Sequence, residues 1–211
     1  MEDSITFLYT NPYINTEAYQ FVISNIRKYY NKSIIYTFID SDRINLQTYL
    51  NLSEKFNVQI FTRDQECFFI NRDDSIDVNI PKIKEWIDRI YYTCINTNSK
   101  WIILLEDDVF LKRKIKIFPK THCGVNRDDV GFLGGGSIFD RKHFLECYKN
   151  FPFDFFIENV KDCSWAGDVL LKYMFLTNSS TTYEKWVEIN EPDHWQEVDC
   201  AIFHGYKDLY K

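Results

Sequence analysis

Apolar and polar positions along the chain switch between two periods. Residues 4–10 form a run rich in apolar side chains that stops at Asn11-Pro12, as a buried strand does before a turn. Residues 16–30 then place Ala18, Phe21, Val22 and Ile26 on one helical face. Residues 33–39 predict a second strand closed by Asp40-Ser41-Asp42, residues 44–56 a helix, and residues 58–61 a short third strand. A polar loop over 63–75 leads to a stripe of Ile80, Ile83, Ile87, Ile90 and Cys94, a helix that tolerates Pro81 in its first turn. Residues 101–105 are apolar at every position, as a central parallel strand covered on both faces must be.

This β-α-β-α-β-α-β order predicts an α/β fold, Rossmann-like, with a central, mostly parallel mixed sheet flanked by helices on both faces. The second half is less regular. Residues 130–139 are an apolar stretch interrupted by glycines, 141–148 and 164–175 have helical spacing, and 182–189 and 198–203 read as strands. No linker, repeat or low-complexity segment divides the 211 residues, so one domain is expected.

Composition narrows the function classes. Hydrophobic residues make up 45% and charged residues 27%, which excludes a disordered chain. The net charge of −6 gives no general attraction to nucleic acid or anionic membranes, so neither is expected as a partner. The start, Met1-Glu2-Asp3-Ser4, has no basic or apolar leader, and no run is long enough to span a bilayer; a cytoplasmic protein is expected. Six dispersed cysteines without a CxxC pair fit free thiols in a reducing compartment. On that reading the sequons at Asn31, Asn51 and Asn178 are chance matches.

The sharpest chemical feature is Glu106-Asp107-Asp108, directly after the apolar strand and before Val109-Phe110-Leu111. Adjacent carboxylates repel and raise one another's pKa, so a fold seldom gathers them at a strand end without a cation. Ligands of open α/β sheets bind outside the carboxyl ends of the strands. The triplet therefore suits a hard divalent cation that also holds phosphate oxygens.

The segment 104–111, LLEDDVFL, resembles the DxD motif of the GT-A glycosyltransferases, and its E-D-D form is close to that of N-acetylglucosaminyltransferase I. Size and layout are similar to those of the small chlorella-virus glycosyltransferases that build capsid glycans, which places the protein in host cytoplasm if it is viral. The resemblance follows the order of elements along nearly the whole chain, but only short motifs are specific. It implies a nucleotide-binding half over about residues 1–110 and an acceptor and sugar half over about 111–211, a domain that can also occur as part of a longer polypeptide. It implies Asp108 as metal ligand and Glu106 and Asp107 as nucleotide contacts.

Four further segments fit the same family. Thr10, Asn11 and Tyr13 follow the first strand, where such enzymes hold base and ribose; two offer hydrogen bonds and one a stacking ring. Asp40, at the end of the second strand, is a weaker nucleotide candidate. Gly131-Phe-Leu-Gly134-Gly135-Gly136-Ser137 holds four of the seven glycines, and Gly135 and Gly136 let backbone approach a donor sugar. Gly167-Asp168 opens a helix and resembles the acidic pair that supplies the base in inverting members, although only Asp168 matches; Trp165 beside it is an acceptor-platform candidate. His204-Gly205-Tyr206-Lys207 resembles a late metal-binding histidine followed by a lysine near the diphosphate, in compressed form. Arg89, on the helix before the E-D-D strand, is a weaker diphosphate candidate, and a solvated helix face is the plainer reading of it.

The implied reaction is transfer of a sugar from a UDP-sugar to a glycan or glycoprotein acceptor by a monomer. Asp108 and His204 would hold Mn²⁺ or Mg²⁺, and Asp168 would act as base in an inverting mechanism. A retaining enzyme shares the metal site and remains open at this stage, as does a non-catalytic nucleotide-sugar-binding module. A sugar nucleotidyltransferase lacks its glycine-rich basic signature after the first strand, and a phosphohydrolase lacks a nucleophilic aspartate there.

Overall fold

Three strands buried from end to end, or nearly so, and a half-exposed edge strand form the first half of the computed structural model, which describes residues 4–13, 15–67, 75–124, 134–159, 166–178, 189–190 and 200–204. β1 (Ile5–Tyr9), β2 (Ile34–Asp40), β3 (Gln59–Arg63) and β4 (Trp101–Leu105) are linked by α1 (Thr16–Tyr29), α2 (Leu46–Lys55) and α3 (Ile76–Asn96). β5 (Val109–Leu111), β6 (His122–Cys123), β7 (Ile138–Asp140), α4 (Arg141–Asn150), α5 (Phe153–Asn159), α6 (Ala166–Leu176), β8 (Ile189–Asn190) and β9 (Ile202–His204) follow.

The main sheet runs β3-β2-β1-β4-β7-β6, and β5-β9-β8 form a smaller one. β1 pairs in parallel with both β2 and β4, and β2 with β3. β7 turns antiparallel against β4, and β6 against β7, so the sheet is mixed at that edge. Side chains alternate between two cores. Phe7, Ile35, Ile39 and Ile103 face α1 and α2, while Leu8, Phe38, Ile102 and Leu104 face α3, α4 and α6. Burial on both faces is why these strands lack a polar phase. The expected α/β architecture is thus the observed one.

α1 starts where Asn15 Oδ1 accepts from the Ala18 N–H at 2.7 Å, and Glu17 in its first turn and Arg27 and Lys28 in its last complement the helix dipole. α3 begins at Ile76, earlier than the apolar stripe suggests, so Pro81 lies inside the helix and not in its first turn. Helical hydrogen bonds from Val78 and Asn79 back to the Ser75 carbonyl set that earlier start. No helix among the described residues is long and apolar enough to cross a membrane. The five described cysteines are buried free thiols; Cys163 lies outside the described residues.

α6 is held to the sheet edge by a stack of parallel rings. Phe175 lies 4.4 Å from His122 and 5.5 Å from His143, with interplanar angles of 14° and 6°. Burial, with His143 adding like-charge repulsion, holds His122 down at about 4 from 6.5. His143 is also lowered by burial, against the opposing pull of Glu146 and Asp140. The unfolded chain therefore binds more protons than the folded one between the two His122 values. This contribution to stability is whole above the unfolded value and is lost as pH falls toward the folded one. The gap corresponds to about 3 kcal/mol. Urea unfolding at pH 7 and pH 4.5 should show a smaller loss of stability on acidification in His122→Phe than in wild type. Equal losses would remove His122 from the acid response.

Candidate active site

The parallel strands β1, β2 and β4 end on the same edge of the sheet. β1 and β4 are neighbours, with Tyr9 opposite Leu105. They flank the point where the strand order reverses: the chain leaves β1 towards β2 and β3, then crosses back to β4. A crevice between diverging connections opens at such a switch point. Into it the chain delivers the loop after β1, the turn after β4 and, because β7 is antiparallel to β4, the glycines that precede β7.

The acidic turn is closed by the Val109 N–H donating to the Glu106 carbonyl at 3.1 Å. Its three carboxylates have different surroundings. Glu106 Oε1 accepts from the Gly135 N–H at 2.8 Å. Asp107 is 3% exposed and accepts from the Tyr9 hydroxyl and, at 2.6 Å, from the Tyr13 N–H. Asp108 is 4% exposed in the same turn. The neutralisation expected from a cation alone is thus shared with N–H and O–H donors of the chain itself.

Gly135 packs where a side chain has no room: a Cβ would lie 2.7 Å from Val109 Cγ2 and 2.9 Å from Glu106 Cβ. Gly136 has φ 84°, the left-handed region that favours glycine. Its N–H donates to the Leu104 carbonyl at 2.8 Å, and the Leu104 N–H to the Ser137 carbonyl at 2.9 Å. Gly135 and Gly136 therefore lie against the acidic turn.

The loop after β1 is fixed from below. Thr10 is buried, and its carbonyl accepts from Arg89 NH1 at 2.8 Å and from the Cys67 thiol at 3.7 Å. Burial pushes that thiol up to about 12, so it keeps its proton. Asn11 Nδ2 donates to Asp40 Oδ2 at 2.7 Å, while Asn11 Oδ1 is buried without a hydrogen-bond partner among the described residues. The Tyr13 ring is 40% exposed, and its carbonyl accepts from Arg43 at 3.0 Å.

Arg89 requires a correction. It is fully buried, not on a solvated face, and its guanidinium is engaged by Asp40 at 2.7 Å, Glu85 at 2.8 Å, the Thr10 carbonyl and the Gln65 carbonyl at 2.9 Å. A group so enclosed does not reach a diphosphate; it ties together the ends of β1, β2 and β3. Asp40 likewise spends its two oxygens on Arg89 and Asn11 and so orients Asn11.

β9 pairs antiparallel with β5, with His204 opposite Val109, which brings the His204 backbone beside the residue that follows Asp108. Asp168 is the third residue of α6. The helix position before it is close-packed: a Cβ on Gly167 would lie 3.2 Å from the Trp86 ring of α3, tighter than an ordinary contact. The side chains of Asp168 and His204, and all of Trp165, Gly205 and Lys207, lie outside the described residues. Among the described residues no three His, Cys, Asp or Glu side chains gather as a metal site. Sequence reasoning missed Tyr9 and Arg43 as loop anchors, and nothing local in the sequence marks either.

No protein-family model matches the chain, and no curated protein matches its sequence. Among solved structures the fold is similar to that of S. aureus TarS, with a TM-score of 0.53 and 9% identity over 98% of this chain and 38% of that one. The chain thus spans 38% of the length of TarS. A mutant transferase gives a TM-score of 0.46 at 16% identity, over 86% of this chain and 88% of that chain. At such identities the likeness to TarS is one of fold, a single α/β domain with a mostly parallel mixed sheet flanked by helices.

Proposed function

We propose that the chain transfers a sugar from a UDP-sugar to a glycan or glycoprotein acceptor with a divalent cation, Mn²⁺ or Mg²⁺. The observation that carries this reading is the Glu106-Asp107-Asp108 turn at the switch point, with Asp107 and Asp108 buried, between an anchored loop and a close-packed glycine segment. The fold's likeness to TarS, a glycosyltransferase, supports it.

The loop suits a nucleoside. Tyr13, 40% exposed, offers a ring for stacking, and the unsatisfied Asn11 Oδ1 would match a ligand N–H such as the imide of uracil. Gly135 and Gly136 bring the backbone close against the acidic turn, where a donor sugar would lie beside it. The donor set fits a cation: Asp108 supplies a carboxylate, β9 brings His204 alongside, and phosphate oxygens would complete the shell. A bound cation supplies positive charge to the diphosphate as the glycosidic bond breaks. Lys207 is the candidate for a second positive charge on the diphosphate. Asp168 takes the proton of the acceptor hydroxyl as its oxygen bonds to the anomeric carbon and the bond to the diphosphate oxygen breaks, which gives inversion.

Calorimetric titration of the chain with UDP in Mn²⁺ and then in EDTA tests this. UDP should bind at least tenfold more tightly with Mn²⁺, a difference of about 1.4 kcal/mol or more, and more tightly than GDP. Equal affinity with and without the metal would overturn the cation's role, and preferred GDP binding would overturn the donor.

A further inference from the structure

We propose that Asp107 is a positioning residue that seats Tyr13 relative to Asp108, and not a group on the nucleotide. The proposal rests on the UDP-sugar reading for its functional consequence and on the geometry alone for the contact.

Tyr9 and Tyr13 bracket the loop after β1, and one carboxylate joins both ends. The Tyr9 hydroxyl donates to Asp107 Oδ1, and the Tyr13 N–H donates to Oδ2 at 2.6 Å. The Tyr9 ring is itself fully buried, 5.4 Å from the ring of Tyr19. A carboxylate has lone pairs to spare after two hydrogen bonds. Asp107 is 3% exposed, however, and each of its oxygens faces one of these two donors of the chain. On the far side of Tyr13, Arg43 donates to the Pro12 and Tyr13 carbonyls. The loop is therefore gripped by an anion at its N–H and a cation at its carbonyls, and both contacts are charge-assisted. What remains presented is the exposed Tyr13 ring.

Asp107 belongs to the turn that carries Asp108, which the Val109 N–H closes. The Asp107 bridge consequently sets the spacing between the stacking ring and the candidate cation ligand. Without it, Tyr13 loses its fixed distance from the turn, and nucleoside affinity falls whether or not metal is present. A group that touched the cation or the diphosphate would show the opposite dependence.

The test compares the full-length wild type with Asp107→Asn and with Tyr9→Phe, which keeps the buried ring. Uridine is titrated in EDTA and in Mn²⁺, and amide hydrogen exchange is followed over residues 9–13. Both variants should weaken uridine by about tenfold in either condition, the scale of one charge-assisted hydrogen bond. The Tyr13 amide should exchange about tenfold faster. A folded Asp107→Asn with wild-type exchange at Tyr13 overturns the proposal, and so does a loss of affinity confined to the Mn²⁺ titration. If the wild type binds neither uridine nor UDP, the donor reading falls, and the exchange measurement still decides the bridge.

Discussion

Asp168→Asn is expected to lower turnover about 10²–10⁴-fold while UDP-sugar affinity stays close to wild type. The substitution keeps the size of the side chain and removes its ability to accept a proton. Asp168 lies in the first turn of α6. The diphosphate is assigned to Lys207 and the cation side, so ground-state donor binding does not depend on Asp168. A single-turnover assay beside a donor titration separates the two effects. A matching fall in donor affinity would move Asp168 onto the donor sugar. Near-normal turnover in a folded variant would favour a retaining route, or a base at Glu191 or Asp193.

Arg89→Met should destabilise the fold by about 3–5 kcal/mol, because it leaves Asp40 buried without its partner. Asp40 is 3% exposed and Arg89 fully enclosed, so water does not replace the lost contact. The Thr10 and Gln65 carbonyls lose donors at the same time. The magnitude reflects the orphaned charge and not the net worth of the pair. Adding Asp40→Asn to Arg89→Met should accordingly recover part of the loss. Urea unfolding of the two variants decides this. A loss below about 1 kcal/mol for Arg89→Met, or no recovery in the double variant, would show that the network is not what holds the three strand ends.

The alternation up to β4 was legible because each of these segments satisfies a local rule. β1, β2 and β4 are buried on both faces, and α1 carries a helical stripe behind an asparagine cap, so the expected helix over 16–30 and the observed Thr16–Tyr29 nearly coincide. β5 and β6 were not legible. They are three and two residues long, too short to show a period, and exist through pairing with β9 and β7. The acidic triplet stood out in the sequence, but the different surroundings of its three members did not. Glu106, Asp107 and Asp108 look equivalent in sequence, and their differences come from Gly135, Tyr9 and Tyr13, which lie far off along the chain. Arg89 misled for the same reason. A charge on an amphipathic helix reads as solvated, and its partners arrive from positions 24, 49 and 79 residues away.

The central claim is that the crevice between the β1 loop and the β4 turn holds a metal–UDP complex. A crystal of the full chain soaked with UDP and MnCl₂ tests it most directly. The account predicts a base stacked on Tyr13, an N–H of that base on Asn11 Oδ1, and an anomalous manganese peak at Asp108 within reach of His204. UDP bound elsewhere, or bound in the crevice with manganese absent from Asp108, would contradict it.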